Sequence, residues 1–203
     1  MTFDPDRIFD SALSETIRLH QAVMGVGREP VVRVATAMAA AIARDGKVLA
    51  FGNGGSASDA QHFAAELVGR FLQERRALPA IALTTDSSIV TAVANDYGYD
   101  RVFARQVEAL GRPGDVAIGI TTSGRSANVI AAFEAAKSRG VTTVALTGGD
   151  GGPAGAMADM HVNVPDPATP RVQEVHRTLL HDICEILELQ LAGAGPGPAE
   201  ATV

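Results

Sequence analysis

His62 and Glu66 stand four residues apart in the stretch FGNGGSASDAQHFAAE, residues 51–66. On a helix that spacing puts both side chains on one face, where a carboxylate and an imidazole can share a proton or a cation. A surface His–Glu pair does neither, so the neighbours matter. Glu66 sits among Phe63, Ala64, Ala65, Leu67 and Val68, which predicts partial burial. A partly desolvated carboxylate is a better proton shuttle than a solvated one. Further along, PRVQEVHRTLLHDICEILELQL offers Gln173, Glu174, His176 and His181 on one long helix. Its periodicity leaves open which of the two histidines faces a site.

Two Gly/Ser turns supply the other half of the chemistry. GNGGSAS (52–58) and TTSGRSA (121–127) each fall between an apolar run and a helical pattern. Glycines let the backbone approach a ligand closely, and helix-start amides favour an anion. Thr121, Thr122, Ser123 and Ser126 add hydroxyl donors at the second turn. Hydroxyls and amides with little positive charge suit a phosphomonoester. The first turn lacks the third glycine and the later acidic residue of a dinucleotide fingerprint, and no Gly-Lys-Ser/Thr of a P-loop follows it. The plain alternative, that these are tight turns and caps only, weakens when two of them occupy equivalent positions.

The elements that must position these residues follow from the pattern. Residues 6–24 read as a helix, with Ile8, Phe9, Leu13, Ile17 and Val23 near one face. A second helix runs from about Pro30 to Gly46. KVLAFG, PAIALTT, GDVAIGITT, VTTVALTGG and MHVNVP read as strands. SASDAQHFAAELVGRFL, with Ser56 as N-cap, DRVFARQVEALG, SANVIAAFEAAKSRG, with Ser126 as N-cap, and the last helix read as helical. SSIVTAVANDYG reads as short and irregular. Short apolar strands alternating with helices predict a parallel sheet covered on both faces. Ligands of such sheets bind beyond the carboxyl ends of the strands, where both Gly/Ser turns lie.

Composition narrows the classes. The 203 residues, 46% hydrophobic and 20% charged, suit one globular domain. A net charge of −6 with no Lys/Arg run argues against nucleic acid or an anionic membrane as the main partner. Cys184 is the single cysteine, so no intrachain disulfide forms and a reducing compartment fits. The acidic start MTFDPDRIFD is unlike a signal peptide, and a cytoplasmic location is expected. The Gly/Pro/Ala-rich tail, residues 193–203, is expected to be disordered.

Together FGNGGSASDAQHFAAELVGRF, ANDYGYDRVFARQVEALGRPGDV, GITTSGRSANVI, ALTGGDGG and RVQEVHRTLLHDICEILE resemble the phosphoheptose isomerases of the sugar isomerase (SIS) domain family. The resemblance runs from about residue 30 to residue 192. It implies one SIS domain over 1–192, N-terminal helices included, with a flavodoxin-like three-layer α/β/α sandwich around a parallel five-stranded sheet. It implies a homotetramer with active sites at subunit interfaces. The implied reaction turns D-sedoheptulose 7-phosphate into D-glycero-D-manno-heptose 7-phosphate, the first step of ADP/GDP-heptose biosynthesis. Asn53, Gly54, Gly55 and Ser56 match the first substrate loop, and Asn95 and Asp96 an Asn-Asp substrate contact. Thr121, Thr122, Ser123 and Ser126 match a phosphate-binding Ser-Thr-Ser-x-x-Ser, with Thr121 keeping the hydroxyl of the first serine. Glu66 and His181 match the catalytic pair; His62, Glu66, Gln173 and His181 match the ligands of one zinc ion per subunit. By this resemblance His181, not His176, is the functional histidine. A relative in the same family is a tetrameric module that binds a bacterial replication initiator, and other members isomerise other sugar phosphates. A binding module has no need of the Glu66–His181 pair. The N-terminal helix carries an apolar face with no strand of its own to cover. Either it folds back on its own subunit or it joins a helical bundle between subunits.

Overall fold

The computed structural model describes residues 3–192; the tail expected to be disordered lies outside these. Five strands, β1 (Val48–Gly52), β2 (Ala80–Ala82), β3 (Val116–Thr121), β4 (Thr142–Gly148) and β5 (Met160–Val164), form one sheet. All pairs are parallel, in the order β2-β1-β3-β4-β5. β1 and β3 are buried along their whole length, which is why they read as unbroken apolar runs rather than as alternating patterns.

Helices cover both faces. On one lie α2 (Arg28–Ile42), α3 (Gly55–Val68) and α8 (Thr169–Ala192), packing Val34, Met38, Phe63, Leu67, Val175 and Leu179 with their neighbours against Ala50, Ile118 and Leu146 of the sheet. On the other, α5 (Val102–Leu110), α6 (Ala127–Ser138) and the short α7 (Gly152–Met157) pack around Phe51, Phe103 and Phe133. The Phe51 ring lies 5.4 Å from Phe103 and 5.8 Å from Phe133. The expected three-layer sandwich is therefore present.

Two local expectations need correction, and a third holds in position only. SSIVTAVANDY is not irregular: it forms α4 (Ser87–Tyr97), started by the Asp86 carboxylate accepting from the Ile89 amide at 3.0 Å. The N-cap of α3 is Gly54 rather than Ser56; Ser56 lies inside the first turn with its side chain buried. Gly54 has φ 57° and ψ −121°, a conformation open essentially to glycine alone, so the chain turns there and the helix starts two residues early. Ser126 does occupy the N-cap of α6, but its hydroxyl makes no cap bond.

The N-terminal α1 (Pro5–Val26) lies on α8 of its own chain. Leu19 and Val23 are buried beneath it. The rest of the seam is polar: Thr16 donates to Glu174, the His20 ring is 2.9 Å from the Thr178 hydroxyl, and Arg171 reaches the Ala12 carbonyl at 2.6 Å. Ile8, Phe9, Leu13, Ile17 and Met24 face outward, each roughly half or more exposed. Both readings of this helix thus hold a part: it folds back, and it still presents an uncovered apolar face. No helix among the described residues is long and apolar enough to cross a membrane.

Candidate active site

The sheet order places β1 and β3 side by side while the chain leaves them in opposite directions, toward β2 from one and β4 from the other. Gly52 at the end of β1 pairs with Ile120 near the end of β3. The two Gly/Ser turns therefore leave the sheet at one point, the topological switch where doubly wound sheets open a crevice. Asn53 and Asn128 tie the turns together with reciprocal amide bonds of 2.8 and 2.9 Å, and the Tyr99 hydroxyl adds a bond to Asn53 at 3.2 Å.

At the second turn, the Thr121 and Ser126 hydroxyls are 3.0 Å apart, and the Ser123 hydroxyl accepts from the Arg125 amide at 3.2 Å. Thr122 Oγ1 lies 3.5 Å from Thr169 Oγ1 at the start of α8. Gly124, at φ 64°, presses on the carbonyl of Gly151, where a Cβ would collide with backbone. Its own carbonyl accepts from the Ala154 amide at 2.9 Å. The hydroxyl turn is thus braced from below by the GGDGG loop. Asn95 and Asp96 lie on the exposed side of α4 and bond to each other at 2.8 Å. Among the described residues, no hydrogen bond joins them to either turn.

The candidate reacting groups come from α3 and α8, which run side by side in the same direction. The offset in number between partners is nearly constant, 118 for the first two pairs and 119 for the third. Gly55 faces Gln173, Asp59 accepts from Arg177 at 2.5 and 2.9 Å, and His62 meets His181. At that last pair the two Nε2 atoms are 2.8 Å apart, and Glu66 Oε1 lies 3.2 Å from His62 Nε2. One donor atom from each of His62, Glu66 and His181 falls within 4.8 Å of the others, and all three side chains are half-buried. Burial, and then the charge of Arg177, hold the His62 imidazole below its ordinary value. Two imidazole nitrogens aimed at each other cannot both keep a lone pair and both be satisfied. Either a proton sits between them or a cation does, and two nitrogens with a carboxylate oxygen are a donor set suited to zinc.

Gln173, the fourth expected ligand, packs its amide against Gly55 at the mouth. Its Cα is about 12 Å along α8 from that of His181, so its amide has to swing from Gly55 to approach the trio. A groove of about 530 Å³ runs along this stretch, lined by Gly55, Ser58, Asp59, Gln173, Glu174 and Arg177. His176 is fully buried, with Nε2 on the Thr147 carbonyl at 3.0 Å, so the histidine of α8 that faces the crevice is His181. Sequence reasoning missed Asn128, Tyr99 and the Asp59–Arg177 pair. Each forms through long-range contacts that leave no local pattern.

A doubly wound sheet with a hydroxyl-lined turn at its switch point, and an imidazole–carboxylate cluster farther along the α3–α8 pair, defines the class: a doubly wound α/β domain. The SIS domain family profile matches residues 13–148. A phosphoheptose isomerase of Neisseria gonorrhoeae is 53% identical over 178 residues, covering 86% of this chain and 90% of the relative. One of Roseiflexus is 58% identical over 161 residues, covering 79% and 82%. The solved phosphoheptose isomerase structure from Neisseria gonorrhoeae superposes with a TM-score of 0.87 at 48% identity, covering 92% of this chain and all of that one. The chain belongs to the SIS domain family and, within it, to the phosphoheptose isomerases; it is an isomerase.

Proposed function

We propose that the chain interconverts D-sedoheptulose 7-phosphate and D-glycero-D-manno-heptose 7-phosphate through an enediol. The observation that carries this is the convergence of His62, Glu66 and His181 on α3 and α8, the helix pair whose N-terminal end holds the glycine mouth. The phosphate lies in the turn of Thr121, Thr122, Ser123 and Ser126, at the start of α6. Asn53, Gly54, Gly55 and Ser56 line the sugar, Gln173 closes the groove from α8, and Asn95 and Asp96 meet the substrate from α4. Glu66 removes a proton from C1 of the ketose and returns it to C2. Its Oε1 is turned to His62, and the other oxygen serves as the base. His181 moves the hydroxyl proton from O1 to O2, so the two transfers balance.

His62, Glu66 and His181 would hold zinc, with Gln173 as a fourth ligand after its amide swings. When bound, zinc supplies Lewis-acid polarisation of the carbonyl. We also propose a homotetramer with active sites at the interfaces, supported by the outward apolar face of α1. The reading as a replication-initiator module lacks a use for the trio.

Incubating the purified protein with sedoheptulose 7-phosphate in D₂O tests the proposal. Aldose is expected, with deuterium at C2 to the extent that the proton on Glu66 exchanges with solvent before its return, and with activity falling on chelation and returning with zinc. No aldose from zinc-loaded protein sinks the reading.

Because the Ser126 hydroxyl bonds Thr121 instead of capping α6, Ser126→Ala is expected to act on binding more than on stability. The Michaelis constant should rise about fivefold, near 1 kcal/mol for a donor lost to a charged acceptor. Steady-state kinetics with thermal melting checks both. An unchanged Michaelis constant with a lowered melting temperature would show a structural serine instead.

A further inference from the structure

We infer that Glu188 and Arg75 are positioning residues for the reacting groups, acting through Phe71 on His181 and through the C-terminal end of α3 on Glu66. Glu188 lies two turns beyond His181 on α8 and is 1% exposed. Its carboxylate accepts four bonds: from the backbone amides of Phe71 (2.8 Å), Leu72 (2.9 Å) and Gln73 (2.9 Å), and from Arg75 Nε (2.9 Å). These bonds fold the segment after α3, which has no regular structure of its own, back onto α8. The fold sets the Phe71 ring on the His181 imidazole, with centroids 5.3 Å apart and planes 30° from parallel. The imidazole is then held between Phe71 on one side and His62 on the other.

Arg75 carries the second arm. Its guanidinium donates to the carbonyls of Glu66 (2.7 Å), Leu67 (2.9 Å) and Gly69 (3.1 Å). These lie in the last turn of α3, where carbonyls lack an amide four residues on. The turn that carries Glu66 is thereby fixed to the same carboxylate that fixes Phe71. A fully bonded buried ion pair adds little net stability over an apolar packing. Its value here is geometric: one carboxylate sets the mutual placement of the two side chains that must move protons. Burial works to raise the Glu188 carboxyl, but the amides of Phe71, Gln73 and Leu72 and the charge of Arg75 outweigh it and hold it below the usual carboxylate range.

The inference rests on the proposed roles of Glu66 and His181, so its test includes a readout independent of turnover. Glu188→Gln keeps the shape but gives the four donors a weaker acceptor and sets an amide against Arg75. Phe71→Leu removes the ring from a half-buried position and threatens folding less. Both are expected to lower kcat about 10- to 100-fold, the scale of an ångström of misplacement, while the Michaelis constant for the sugar phosphate stays within about twofold. In substrate-free protein labelled at histidine, the His181 ring resonances should leave their wild-type positions in both variants, because they lose the Phe71 ring current. Wild-type kcat in Phe71→Leu, or His181 resonances unmoved in both variants, overturns the inference. If Glu188→Gln fails to fold, Phe71→Leu decides alone. If wild-type protein has no isomerase activity, the proposed function falls, while the resonances still report on the positioning.

Discussion

Glu66→Gln is expected to fold, to bind sugar phosphate and to turn it over about 10³-fold or more slowly, because a positioned general base is typically worth 10²–10⁴ in rate. The substitution preserves volume and the hydrogen-bonding reach toward His62, 3.2 Å away, but an amide cannot accept a proton from carbon. A thousandfold loss corresponds to about 4 kcal/mol of transition-state stabilisation. Glu66 is half-buried, so little of the loss is attributable to unfolding. The proposed phosphate turn lies between β3 and α6, near the start of α3, whereas Glu66 lies in its last turns, so the Michaelis constant should change much less than kcat. The measurement is kcat by NMR of the aldose product, alongside a thermal melt and a zinc assay. The zinc assay separates loss of the base from loss of a ligand. Near-normal turnover by a well-folded variant would remove Glu66 from the mechanism.

Glu66 and His62 were legible because the helical four-residue spacing is local. So were both Gly/Ser turns, because an apolar run, a glycine and a capping residue follow one another in sequence. Their convergence follows from the strand order, which places β1 beside β3. The choice between His176 and His181 was a different matter. His176 lies in the buried stripe of Val172, Val175, Leu179, Leu180 and Ile183, and His181 lies off it. That stripe is the signal that identifies His176 as a core residue, but it needs the inner face of α8 to be known first. α4 was missed because none of its residues is buried, so no apolar periodicity marks it, and its β-branched residues weaken helix propensity. Glu188 shows the limit most clearly. In sequence it is one acid in a long amphipathic helix, and only its partners 113–117 residues away show what it holds.

The largest structural effect is expected from charging the outward face of α1. Leu13→Glu combined with Ile17→Glu should convert the proposed tetramer into smaller species at micromolar concentration and lower isomerase turnover with it. Both residues point away from the chain's own core, at 49% and 59% exposure, and neither takes part in the polar seam with α8. The folded subunit should therefore be nearly unperturbed. In an assembled bundle each Leu or Ile side chain contributes about 1.5–3 kcal/mol of burial, and a carboxylate in its place costs several more. Symmetry repeats that penalty at every copy of the interface. Turnover should fall because α1 braces the N-terminal half of α8 through Arg171, Glu174 and Thr178, the stretch that also carries Gln173 to the groove. Without neighbours pressing on α1, its brace on that stretch loosens, and the groove loses its fixed wall. Light scattering and turnover at matched concentrations check the two effects together. A folded monomer that isomerises as fast as the parent protein would show that each subunit completes its own site and that the exposed face of α1 has no part in catalysis.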